Sequence, residues 1–185
     1  VVNGQIQYGR AQALTSETTD FVDTSIRLAH FRHELRSLGN APSRANLLRM
    51  LEMAQEQQLP DDTIGEELSE IYAMLEGLDL TEQIARLGPP VVTSDRVLPK
   101  DECCHFVTPV RFGRRRSDQI GHLELTSGWL KFHGALDMSI VWAEVGDVER
   151  CGRDMVVSLG NGRRVLRFSC HAIRETVRAV VVCKY

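Results

Sequence analysis

The sequence predicts an α+β fold: an N-terminal helical hairpin or bundle, then a bent antiparallel β-sheet capped by a C-terminal helix. Three observations carry this. Apolar residues recur at three- and four-residue steps up to about residue 88, then at alternate positions beyond about residue 103. Gly88-Pro89-Pro90 separates the two regimes, because consecutive prolines cannot continue a helix and restrict the residue before them. Formal charge divides there too: residues 1–99 hold 8 Lys+Arg against 15 Asp+Glu (net −7), and residues 100–185 hold 14 against 10 (net +4). The domain limits read as a helical region 1–90, an extended linker 91–102 and a β-rich domain 103–185.

The first fifteen residues, Val1 to Thr15, read as loop or frayed helix. From about Thr19, Phe21, Ser25, Leu28, Phe31, Leu35 and Leu38 form one stripe, with Gly39 as its stop. Asn40-Ala41-Pro42 makes a turn. Ser43 is then the N-cap of a second helix presenting Leu47, Leu51 and Ala54 on one face. A third helix follows Pro60, with Thr63 and Glu66 at capping-box spacing and Ile64, Leu68, Ile71, Leu75 and Leu78 as its stripe. Asp79 and Glu82 repeat that spacing, which predicts a short fourth helix ending at Gly88. Each stripe must be buried, and a helical hairpin or three-helix bundle does so most simply. Phe21, Leu28 and Leu35 also stand at heptad intervals, so self-association through them is the alternative.

In the second half, strands are predicted at Cys104–Phe112, Ile120–Thr126 and Trp129–His133. Met138–Trp142 and Glu144–Cys151 read as two further strands, or as one bent strand broken near Gly146. Met155–Leu159 and Val165–Phe168 flank Gly160-Asn161-Gly162, where the Asn-Gly pair signals a tight hairpin. Ile173, Val177, Val180 and Val181 give a final amphipathic helix. A bent sheet of seven strands leaves an open end that this helix can plug.

Composition narrows the function. No GxSxG elbow, phosphate loop, HExxH or dinucleotide fingerprint occurs, so no catalytic residue and no cofactor is expected. No apolar run reaches 18 residues, which excludes a membrane-spanning helix. The five cysteines (Cys103, Cys104, Cys151, Cys170, Cys183) show no framework spacing and read as reduced thiols of a cytoplasmic or nuclear protein. Cys103 and Cys104 would point to opposite faces of a strand, so no metal site is expected. His30 and His33 read as surface histidines, and Glu66, Glu67 and Glu70 as a solvated helix face. Because the chain begins with Val and shows no signal peptide, it reads as a piece of a longer protein.

The sharpest candidate site is Arg114-Arg115-Arg116 in the first hairpin loop. With Arg111 and Lys131 nearby, it could take phosphates or acidic protein segments through bidentate guanidinium contacts. Arg163, Arg164 and Arg167 read as solvated strand charges. A net charge of only +4, with no aromatic platform among the arginines, speaks against nucleic acid.

The segments Gly121-His122-Leu123-Glu124-Leu125-Thr126 and Trp129-Leu130-Lys131-Phe132, then Ile140-Val141-Trp142-Ala143-Glu144-Val145 through Val148, and the later Val165-Leu166-Arg167-Phe168, resemble the PH superfamily. Within it, the GRAM-like and bacterial-PH-like branches are the nearer, and the resemblance spans about residues 103–185. It implies a non-catalytic adaptor or scaffold module, binding a protein partner through this domain and the helical region. The alternative it implies is recruitment to an anionic membrane surface through Arg114–Arg116. Lipid-binding members carry alternating basic residues on the second strand, where this chain has His122 and Glu124.

Overall fold

The computed structural model describes residues 22–185 except 40, 41, 95, 114–118, 161 and 163. Val1–Thr15, Thr19, Phe21, the Asn40-Ala41 part of the turn, Arg114–Arg116, Asn161 and Arg163 therefore lie outside the described residues. The chain has an N-terminal helical region, a seven-stranded antiparallel sheet and a C-terminal helix, as the sequence predicts. It divides into two compact units, Val1–Ile71 and Tyr72–Tyr185.

The first unit holds helix α1 over residues 22–37, α2 at Arg44–Glu56, and the start of α3, which spans Asp61–Leu87. Ser43 caps α2 as expected, its side chain accepting from Asn46 N–H at 3.2 Å. Phe31, Leu47 and Ile64 are fully or almost fully buried, and Leu35, Met50 and Ala54 are buried with them. Arg32 Nε pairs with Glu67 Oε1 at 2.5 Å, and Arg27 Nη1 donates to Gln57 O at 2.5 Å. Polar contacts thus tie α1 to both other helices.

Two expectations about α3 need correction. Thr63 is not its cap: Thr63 N–H and Ile64 N–H both donate to Pro60 O, so Thr63 already lies inside the first turn. No fourth helix begins at Asp79, because α3 runs unbroken to Leu87. Thr81 Oγ1 bonds back to Gly77 O within the helix, the usual local bond of a mid-helix threonine.

The second unit is built on the strands β1 (Cys104–Phe112), β2 (Gln119–Thr126), β3 (Trp129–His133), β4 (Met138–Val141), β5 (Val145–Cys151), β6 (Asp154–Leu159) and β7 (Arg164–Cys170). Their order is β4-β3-β2-β1-β7-β6-β5, all antiparallel. The sequence reading left open whether β4 and β5 are two strands or one bent strand. The structure makes them the two edges of the sheet, joined by a 3-10 turn at Trp142–Glu144. Four backbone steps from Val141 to Val145 reach at most about 14 Å. The two edges must therefore converge at that turn, so the sheet curls almost onto itself.

Helix α4 (Ile173–Cys183) fills the opening, burying Thr176, Val177, Ala179, Val180 and Val182. Of these, Ala179, Val180 and Val182 join Leu123, Leu125, Leu130, Phe132, Met155, Val157 and Phe168 in one core. Within this unit the second part of α3 adds Ile84 and Leu80 to the same core, a face missed in the sequence. The compact unit thus begins at Tyr72, inside α3, whereas the sequence reading began the domain at 103.

The linker expected at 91–102 is fastened to the sheet. Val92 N–H donates to Cys104 O at 2.8 Å, and His105 Nδ1 donates to Pro90 O at 2.8 Å. Two residues beyond Val92, Ser94 Oγ donates to Glu124 on β2.

Candidate functional site

At the corner where the two sheet edges converge lies a cavity of about 880 Å³. Its walls come from the start of β5, the end of α4, the Trp142 turn, His105 near the start of β1, Thr126 and Ser127 at the end of β2, and Pro89. Local sequence explains the shape. A side chain at Gly146 would place its Cβ 2.6 Å from Gly160 O, so only glycine lets β5 cross there, and the β5–β6 register shifts at the same point. Trp142 is held as one wall by its indole Nε1–H, which donates to Thr126 O at 2.7 Å. Tyr185 at the far side donates from its hydroxyl to Thr81 O at 3.4 Å.

Beside this cavity β5 has no neighbouring strand on its outer edge. Alternate residues of an antiparallel edge strand turn their N–H and C=O away from the sheet. Val148 is one such residue: its N–H donates to Asp147 Oδ1 at 2.8 Å, a carboxylate standing in for a strand carbonyl. Glu144, Asp147 and Glu149 are exposed along this stretch, giving the edge an acidic character. Cys183, also in the cavity wall, has its thiol pushed up to about 12 by burial.

A second polar cluster lies on the outer face of β2 and β3. Glu124 and Glu102, both nearly buried, face His133 and Lys131: Glu124 Oε2 lies 3.1 Å from His133 Nε2, and Lys131 Nζ lies 2.7 Å from Glu102 Oε1. Burial works against the Glu124 charge, but hydrogen bonds from Ser94, His133 and Cys104 outweigh it and hold the carboxyl below its usual range. Burial and the neighbouring Glu124 push the Cys104 thiol up to about 11. Ser94, Arg96, His122, Glu124 and His133 surround a small cavity of about 160 Å³.

Of the residues singled out in the sequence, Arg111, Lys131, Leu28 and Leu35 are among the described ones. Arg111 is exposed on β1, opposite Ile120. Arg114, Arg115 and Arg116 lie outside the described residues, as does Phe21. Lys131 does not belong to a free basic patch, because Glu102 pairs with it and it is largely covered. Arg167 likewise pairs with Asp154 at 2.6 Å. In the helical unit Leu35 is buried and Leu28 half-buried. Sequence reading missed Glu102, Glu124 and His133 as a cluster. The signal that could have found them is the alternation of β2, which puts His122 and Glu124 on one face.

No family model matches the chain, and no curated protein matches it. Among solved structures it is similar to the C-terminal domain of an unknown protein from Leishmania infantum, at 14% identity over 51% of this chain and 83% of that one, with a TM-score of 0.32. A likeness of that degree adds nothing to the reading of the site. Among the described residues no helix is long and apolar enough to cross a membrane.

Proposed function

We propose that the protein is a non-catalytic adaptor whose sheet unit takes an extended segment of a protein partner along the outer edge of β5. The observation that carries this is the unpaired β5 edge lying beside a cavity of about 880 Å³. Strand addition supplies affinity through main-chain hydrogen bonds, and an adjoining pocket supplies specificity by taking one side chain. Trp142, Val145 and Val182 make the pocket wall apolar. Exposed Glu144, Asp147 and Glu149 favour lysine or arginine in the incoming segment. The residues that resemble the PH superfamily, whose members commonly serve as binding modules, support the same reading.

The test is a selection from a random peptide display library, followed by hydrogen exchange on the complex. Selected peptides should pair basic residues with an apolar anchor and protect the amides of 145–149. Asp147→Lys with Glu149→Lys should weaken binding at least tenfold. Peptides that protect a different region, or a library yielding no binder, would overturn the proposal.

A second reading, recruitment to an anionic membrane, is favoured by one observation. Ile120 (74% exposed) and Leu136 (67% exposed) lie at the same end of the sheet, where Leu136 N–H donates to Gln119 Oε1 and exposed Arg111 lies opposite Ile120. Apolar tips flanked by arginines suit an interface that combines insertion with surface charge. Sedimentation with anionic vesicles, comparing wild type with Arg111→Glu and with Arg114/Arg115/Arg116→Glu, tests it. Salt-sensitive binding lost in both variants supports the reading, and absence of binding ends it.

A further inference from the structure

We propose that Asp147 is a gate on the outer edge of β5: its carboxylate closes the Val148 amide to neutral chains and yields it to a protein segment with a lysine or arginine on each side of an apolar residue. Such selection rests on strand addition at β5 as proposed above, and it defines the partner's chemistry position by position.

The geometry follows from the hairpin that joins β5 to β6. Cys151 and Asp154 flank a two-residue turn, Gly152-Arg153, with φ +61° at Gly152. Residues that flank such a turn exchange backbone hydrogen bonds, and bonded and non-bonded pairs alternate from there. The register is unbroken from Cys151 back to Asp147. Glu149 with Val156 and Asp147 with Ser158 therefore bond across the hairpin, while Val148 and Arg150 turn their backbone groups outward. At Val148 the edge is stopped, because its N–H donates to Asp147 Oδ1 at 2.8 Å. A bond of this kind, to a charged acceptor, is about twice as strong as the neutral one that an added strand's carbonyl offers. A neutral chain thus loses more at this amide than it gains, which keeps the edge from pairing indiscriminately.

A basic segment reverses the balance. An added residue opposite Val148 exchanges both backbone bonds with it. Its two neighbours then lie opposite Asp147 and Glu149, in the non-hydrogen-bonded pairs where side chains approach most closely. Asp147 and Glu149 are exposed and stand on the face opposite that of buried Val148. Lysine or arginine at these two positions takes up the carboxylate that Asp147 withdraws from the amide, and pairs with Glu149 as well. The central side chain falls on the Val148 face, beside the cavity that Val145 and Val182 line. Lys184 lines that cavity too and repels a cation there, so the central residue is apolar.

The experiment titrates two capped synthetic peptides, acetyl-GTTKVKTTG-amide and its neutral counterpart acetyl-GTTQVQTTG-amide, into the full chain and into Asp147→Ala by calorimetry. The wild type should bind the lysine peptide about tenfold more tightly than the glutamine peptide. Asp147→Ala should bind the glutamine peptide at least about threefold more tightly than the wild type does, with a preference for lysine of about threefold or less. In the unbound chain, hydrogen exchange at the Val148 amide should be faster in the variant. Gain of affinity for the neutral peptide is the readout that a merely structural role, or charge attraction alone, does not produce. Two failures are distinct. If neither peptide protects the amides of 145–149 in either protein, strand addition itself falls and the gate with it. If those amides are protected, the gate alone is overturned by any of three results: a wild type that binds both peptides alike, no gain for the neutral peptide in Asp147→Ala, or unchanged exchange at Val148.

Discussion

Gly77 of α3 meets Val177 of α4 so closely that a Cβ added at Gly77 would stand 2.4 Å from Val177 Cγ1. The two helices cross there because one of them has no side chain. Val177 is itself buried, so it cannot swing away into solvent.

Gly77→Ala should therefore destabilise the protein, although alanine is the better helix former by about 1 kcal/mol. Overpacking of this kind costs about 1–3 kcal/mol. Gly65, in the same helix, has nothing within 4 Å of its missing Cβ, so Gly65→Ala should stabilise by up to about 1 kcal/mol. Denaturant unfolding of the two variants checks the contrast: opposite signs are expected, and equal signs would show that α3 does not cross α4 as described.

Phe168 is fully buried, its ring 5.2 Å from Phe112 and 6.2 Å from Phe132 between centroids. Truncating it removes the shared wall of this aromatic group. Phe168→Ala should cost about 3–5 kcal/mol of unfolding free energy, measured by chemical denaturation. A loss below about 1 kcal/mol would mean that the group is not packed as seen.

Ser94→Ala removes the hydrogen bond that fastens the 91–102 segment to Glu124. Tryptic cleavage after Arg96 or Lys100 should then be faster than in the wild type, while cleavage within the strands stays unchanged. Equal rates would place the hold on this segment in the Val92–Cys104 bridge instead.

Burial pushes the Cys170 thiol up, and the Cys183 thiol to about 12. At pH 8 the Cys183 thiol is thiolate in only about one molecule in ten thousand, and the thiolate is the reactive form. Iodoacetamide should label exposed Cys103 and Cys151 well before Cys170 and Cys183, as read by peptide mass mapping. The sign for stability follows: above pH 9 the unfolded chain releases these protons while the folded chain keeps them. Stability should accordingly fall as pH rises from about 9 towards 12.

Much of the sheet could be read beforehand because alternation is a local signal. Trp129–His133 was bounded correctly by the Ser127-Gly128 turn and the polar residues after it. Val177 and Val180 marked the buried side of the last helix for the same reason. What could not be read depends on who faces whom. Asp79 and Glu82 have capping spacing, yet no helix-breaking residue lies beside them, so the helix passes through. Gly77 looks like a weak point in sequence, and its meaning appears only with Val177 beside it. Likewise Glu124 with His133 and Glu102 with Lys131 depend on strand register, where a slip of one residue would turn each side chain to the opposite face. The cavity at the β5 edge joins segments from five parts of the chain, so no stretch of sequence announces it.

The join between β1 and β7 has a consequence for how the chain finds this structure. Among the described residues its ladder pairs Val110, Arg111 and Phe112 with Cys170, Ser169 and Phe168, extended by Gly113 N–H to Arg167 O, whereas β1 pairs with β2 along nearly its whole length. Every other ladder connects strands adjacent in sequence and can form early from nearby residues. Val110 must instead find a residue 60 positions further on, and the loop-closure entropy of that search falls before the contacts reward it. The tempo of folding is thus set at a three-residue seam. A ribosome must also deliver Phe168 before the barrel-like curl can shut, so every nascent chain waits with both halves of its sheet unjoined until that residue has been made.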